Sequence, residues 1–180
     1  MQEVYDQQET AKIIVMGNQH VGKTSIIKAY LEGQSQKNMT HVTNTIQDFY
    51  KQISVERSDG TTTDLKLKIW DAAGDNNIHN LASLYTRDVQ CGILVFAINS
   101  EKSFNEIEEW HKHIKQQNNK IVLMLVGNKS DLSQGRAVAY DFAVMKAQEL
   151  GCSKYVETSA WTDVDSINGL FETIAQEIVK

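Results

Sequence analysis

Residues Gly17–Thr24, GNQHVGKT, follow the apolar run AKIIVMG and precede a segment with apolar residues at Ile26, Ile27, Tyr30 and Leu31. Two glycines separated by four residues and followed by Lys-Thr, between a buried strand and a helix, form the pattern of a phosphate-binding loop. The glycines let backbone N–H groups converge on a phosphate chain, and the helix N-terminus adds its positive end. Gly17, His20, Val21, Gly22, Lys23, Thr24 and Ser25 are read as the cradle. Lys23 is expected to bridge the terminal phosphates, and Thr24 to offer its hydroxyl to Mg2+. Gln19 and His20 are large for such a turn. The backbone can still bind phosphate around them, and the His20 side chain is read as a solvated loop group.

Strand and helix patterns alternate along the rest of the chain. FYKQISVERSDGTTTDLKLKIWD reads as two strands around Ser58-Asp59-Gly60, with Leu65, Leu67 and Ile69 alternating with Lys66 and Lys68. CGILVFAIN and KIVLMLVGN are continuous apolar runs, as expected of central strands covered on both faces. KYVETSA is a shorter strand. Helical spacing links Phe104, Ile107, Trp110, His111 and Ile114, then Phe142, Met145 and Leu150, then Ile167, Leu170, Phe171, Ile174 and Ile178. The fold class is therefore α/β: a P-loop NTPase fold with about six strands in a mostly parallel sheet, flanked by helices. Residues 1–180 are expected to form one domain.

Composition narrows the function classes. The net charge of −5 argues against a nucleic-acid partner, because a phosphate-backbone binder shows a basic face. Two distant cysteines, Cys91 and Cys152, suggest neither a disulfide framework nor a metal cluster, and fit a reducing, cytoplasmic compartment. The segment MQEVYDQQET lacks a signal-peptide core, and Gln2 excludes an N-myristoyl motif. No apolar run approaches the roughly 20 residues of a membrane span. The sequence stops at AQEIVK without a cysteine to lipidate, so membrane attachment is expected only through a tail not present in this chain.

Two further motifs follow strands in order. In DAAG, Asp71–Gly74, Asp71 is placed to hold Mg2+ through water and Gly74 to present its N–H to the last phosphate. In NKSD, Asn128–Asp131, the Asp131 carboxylate can accept hydrogen bonds from N1–H and the exocyclic amine of guanine. Adenine offers the wrong pattern and would leave a buried carboxylate unpaired, at a cost of several kcal/mol. Asn128 is expected to tie this loop to the phosphate loop, and the Lys129 stem to lie along the base.

With these motifs in sequence, the chain resembles the small GTPases of the Ras superfamily over nearly its whole length. The resemblance implies a guanine-nucleotide switch using GTP/GDP and Mg2+, with an exchange factor and effectors as partners. It implies that Thr158-Ser159-Ala160 is the fifth motif, with the Ala160 N–H meeting the guanine O6 and Ser159 and Trp161 beside it. It also implies that Thr45, in TIQDFYKQ, is the second Mg2+ ligand. IWDAAG, ILVF and SFNEIEEWHKHI look closest to the Rab branch, whose effector-facing aromatic trio would fall on Tyr50, Trp70 and Tyr85. That branch implies vesicle traffic at the cytosolic face of endomembranes.

Departures from the family pattern bear on turnover. The family's water-orienting Gln is replaced by Asp75, which cannot donate toward the γ-phosphate and adds negative charge to an anionic transition state. Gln19 stands where an activating arginine would enter. Slow hydrolysis is expected, with Asp75, Gln19 and Lys23 as the residues that decide it. EGQSQKNMTHV has no Phe, Tyr or Trp to cover the base, His41 being its only ring, and Trp161 is either a group that stacks on the base from the other side or an exposed or helix-packed residue. The alternative is a nucleotide-bound scaffold with little turnover. A small-molecule kinase would want an arginine-rich lid, whereas Arg57, Arg87 and Arg136 are the only arginines and are scattered.

Overall fold

A computed structural model describes residues 9–36, 45–72, 74, 86 and 88–180. The elements are β1 (Glu9–Met16), α1 (Lys23–Glu32), β2 (Gln47–Glu56), β3 (Thr62–Asp71), β4 (Cys91–Ala97), α2 (Glu101–Asn105), α3 (Ile107–Gln117), β5 (Val122–Asn128), α4 (Tyr140–Glu149), β6 (Lys154–Thr158) and α5 (Val164–Val179), with a 3-10 turn over Ser130–Gly135. The six strands form one sheet in the order β2-β3-β1-β4-β5-β6. Only β2 and β3 pair antiparallel, joined by the expected hairpin. In its turn Gly60 adopts φ 81°, and the Asp59 carboxylate accepts from the Thr61 N–H at 2.9 Å.

Strand alternation sorts the apolar runs onto two cores, which is why they read as continuous in sequence. Ala11, Ile13 and Val15 of β1, with Ile93 and Val95 of β4, face a cluster that includes Ile26 and Ile27 of α1 and Ile167, Leu170, Phe171 and Ile174 of α5. Ile14 and Met16, with Leu94 and Phe96, face the opposite cluster, which holds Ile107, Trp110 and Ile114 of α3 and Ala143 and Ala147 of α4. Cys91 lies in the first core as small apolar filling.

Two helical expectations are corrected. The segment from Phe104 to Ile114 is two helices, α2 and α3, meeting at Glu106 rather than one. In α4 the expected inward face of Phe142 and Met145 is the outward one: they are 67% and 64% exposed, and Ala143 and Ala147 are buried instead. Residues 143, 147 and 150 are one turn apart, and alanine lets the helix lie close on the sheet, so small size wins over hydrophobicity here.

β1 lies between β3 and β4, and the chain leaves it toward one sheet edge before returning to the other. Such a reversal opens a crevice at the carboxyl ends of parallel strands. The loops after β1, β3, β5 and β6, which carry the four motifs, all emerge at that end.

Candidate nucleotide-binding site

The loop after β1 closes on itself through the lysine of α1. Lys23 is only 6% exposed, and its Nζ donates to the carbonyls of Gly17 (2.9 Å) and Asn18 (2.8 Å). Burial pushes its pKa down to about 8, against the opposing pull of Asp71. A cation held this way, beside the N-terminus of α1, is suited to a phosphate chain. Gly22 takes φ 97°, and a Cβ there would lie 2.3 Å from the Asn128 Nδ2, so only glycine fits. His20 adopts φ 62°, a left-handed conformation uncommon outside glycine. Its side chain and that of Gln19 are exposed, along an open cleft of about 560 Å3 that Asn18, Val21, Gly74 and Lys129 also line.

At the end of β3, Asp71 is fully buried, and the Thr24 hydroxyl donates to its Oδ2. A hydroxyl and a carboxylate meeting beside Lys23 make the all-oxygen donor set a hard divalent cation prefers, so these residues fit Mg2+. Thr45 is exposed and, among the described residues, makes no hydrogen bond to either of them; the structure does not bring the third expected ligand into the pair. Gly74 lies against the loop backbone. Asp75, His41 and Tyr85 lie outside the described residues.

The loops after β5 and β6 are joined to the first by side chains. Asn128, 2% exposed, donates from Nδ2 to the Val21 carbonyl at 2.9 Å and accepts on Oδ1 from the Thr158 hydroxyl at 3.1 Å. Lys129 is left-handed at φ 67° and half-buried, and desolvation lowers its pKa, with Asp131 opposing. The exposed Asp131 carboxylate accepts from the Ser159 hydroxyl at 2.5 Å, and Ser159 Oγ itself accepts from the Trp161 and Thr162 N–H groups at 3.2 and 3.1 Å. The orientation of Asp131 is therefore set by the neighbouring loop. The Ala160 carbonyl accepts from the Gln36 N–H at 2.7 Å, which brings the chain after α1 to the same place. Trp161 is 52% exposed, beside the Ser159–Asp131 contact, as either reading of it requires.

Sequence reading missed two supports. Arg136 makes a two-pronged pair with Glu157, 2.7 Å on each arm, and Tyr155 donates to the same carboxylate at 2.8 Å. Arg136 lowers the Glu157 pKa, and it locks the loop after Asp131 to β6. Asn18 is held by Glu106 and Trp110, more than 80 residues away. The identities of these residues were visible, but no local spacing announces partners so distant.

A glycine loop at a topological switch point, a buried lysine and a carboxylate–hydroxyl pair beyond the neighbouring strand define a P-loop nucleotide-binding domain. A sequence profile of the Ras family matches residues 12–180. The chain is 33% identical over 172 residues to Ras-related protein RabJ of Dictyostelium discoideum, covering 94% of this chain and 63% of that protein. It is 35% identical over 170 residues to Ras-related protein Rab-5A of the same organism, covering 94% and 81%. The chain belongs to the Ras family and is a divergent, Rab-like member of it.

Proposed function

We propose that this protein is a guanine-nucleotide switch of membrane traffic, which binds GTP or GDP with Mg2+ and hydrolyses GTP slowly. The observation that carries the reading is the joining of three loops by side chains: Asn128 to Val21, Thr158 to Asn128, and Ser159 to Asp131. Such cross-bracing presents a preformed acceptor, Asp131, at a fixed distance from a preformed phosphate cradle. A bound Mg2+ would offset phosphate charge, with Thr24 and Asp71 as its protein oxygens. Lys23 supplies the matching cation, and the Gly74 N–H is the donor for the last phosphate.

Slow turnover is inferred from the residue types that stand in the sequence where the family handles the attacking water. Asp75 accepts but does not donate toward the phosphate, and Gln19 occupies the approach of an activating arginine. Replacing Asp75 by Gln is expected to raise single-turnover GTP hydrolysis by an order of magnitude or more; an unchanged or slower rate removes the argument. The same two residues favour a second reading, a nucleotide-bound scaffold without turnover. Wild-type hydrolysis no faster than that of free GTP would select it.

Effectors would read residues 46–50 and the segment after Gly74, and an exchange factor would act on the same surfaces. Tyr50 supports this role: it is 48% exposed, its hydroxyl donates to Asp48, and Lys66 and Lys68 flank its ring at 4.9 and 5.4 Å. Trp70, opposite Asp48 in the hairpin, is largely buried and would contribute a smaller area. The proposal includes action at the cytosolic face of endomembranes, as the Rab-named relatives suggest. Among the described residues, no helix is long and apolar enough to cross a membrane.

A further inference from the structure

The side chain of Asn18 makes two contacts that need opposite chemistry. The indole Nε1 of Trp110, a donor only, donates to Asn18 Oδ1 at 2.8 Å, while Asn18 Nδ2 donates to the carboxylate of Glu106. Trp110 is 2% exposed on α3, and Glu106 caps the same helix. An amide satisfies both partners at once. A carboxylate at this position would still accept from Trp110 but would confront Glu106 with like charge, and an aliphatic residue would take away the acceptor that Asn18 offers the indole.

The backbone of the same residue serves the phosphate site. Its carbonyl is one of the two that hold Lys23 Nζ, at 2.8 Å. Gly74 packs on it so closely that a Cβ there would lie 2.4 Å from the Asn18 carbonyl carbon and 2.3 Å from the Gln19 nitrogen. Among the described residues the Glu106 carboxylate also pairs with Lys102, at 3.9 Å, whose exposed side chain leaves the carboxylate available to Asn18.

We propose that Asn18 is a positioning residue, whose amide, gripped by Glu106 and Trp110, makes α3 the external support of the carbonyl that holds Lys23 and of the surface on which Gly74 rests. The proposal rests on the nucleotide-binding reading above and adds a control point on nucleotide retention. A partner or substitution that shifts α3 would then change how long nucleotide stays bound without touching it.

The test is release of a fluorescent GDP analogue from the full chain loaded with Mg2+, with thermal melting as the check on folding. Asn18→Asp is expected to release nucleotide about tenfold faster, the scale of a disrupted hydrogen bond to a charged group. Adding Glu106→Gln removes the repulsion and supplies a donor, and is expected to return release to within about threefold of wild type. Unchanged release in Asn18→Asp, or no restoration in a folded double variant, overturns the proposal. Should Asn18→Asp fail to fold, Trp110→Phe keeps a ring and removes the donor: severalfold faster release supports the role of Asn18, and unchanged release overturns it. If wild-type protein takes up no guanine nucleotide, the functional reading falls and this role falls with it. If wild type retains nucleotide and the variants retain it equally, only the role of Asn18 falls.

Discussion

Asn128 and Val21, 107 residues apart, are joined by a buried 2.9 Å hydrogen bond from the amide of one to the carbonyl of the other. The same amide's oxygen receives the Thr158 hydroxyl, so one side chain spans three loops of the site. Asn128→Ala leaves a buried carbonyl and a buried hydroxyl without their partner. The expected cost is about 1–3 kcal/mol of folding stability, with GDP release faster by tenfold or more. Denaturant unfolding and a release assay check both halves, and a variant with wild-type values in each would show the bridge to be incidental.

His20 sits at φ 62° with an exposed side chain. Left-handed backbone costs an L-residue roughly 1–2 kcal/mol and glycine almost nothing, although glycine is more flexible when unfolded. His20→Gly is therefore expected to leave stability unchanged or raise it by up to about 1 kcal/mol. His20→Val, with branching at Cβ, should lower it. Thermal melts of the two variants should separate in that order, and the reverse order contradicts the backbone assignment.

His111 is half-buried on α3, and its Nε2 is enclosed without a hydrogen-bond partner among the described residues. Burial lowers its pKa below 6.5; Lys115 adds to the lowering, while a hydrogen bond with the Leu150 backbone and the Glu108 carboxylate oppose it. The folded state thus favours the neutral ring and the unfolded state binds the proton more readily. The contribution is complete above pH 6.5 and is lost as pH falls through the folded-state value. Glu157, lowered from 4.5, loses its contribution only in more acid solution. His111→Gln should flatten the stability profile just below pH 6.5 and leave the more acid limb in place, as followed by urea unfolding across pH.

The reversed face of α4 gives a packing test. Phe142→Ser should change stability by less than about 0.5 kcal/mol, since the ring is already in solvent. Ala143→Leu forces three extra carbons between helix and sheet and should cost about 1–3 kcal/mol. If Phe142→Ser proves the more damaging of the two, the expectation formed from the sequence was right about this helix.

That helix shows where sequence reasoning lost its grip. Periodicity weighs residues by hydrophobicity, so Phe142 and Met145 outvoted Ala143 and Ala147, although close helix–sheet packing selects for small side chains. The β-strands were legible because the alternating faces of β1 and β4 are both buried, which leaves uninterrupted apolar runs. The site was legible where chemistry is local: GNQHVGKT, DAAG and NKSD each carry their geometry within a few residues. What joins them was not. The Arg136–Glu157 pair and the grip of Glu106 and Trp110 on Asn18 depend on strand order, and strand order is written nowhere in a single short stretch.

The central claim is that the braced loops hold a guanine nucleotide. Its most direct test is to release whatever small molecule accompanies the purified full chain by denaturation, identify and quantify it chromatographically, and then titrate nucleotide-stripped protein with GDP and ADP in the presence of Mg2+. The account predicts close to one equivalent of GDP or GTP per chain, rebinding of GDP, and no measurable heat with ADP. Protein that carries no guanine nucleotide and fails to rebind it, or that binds ADP as well as GDP, would contradict the account at its base.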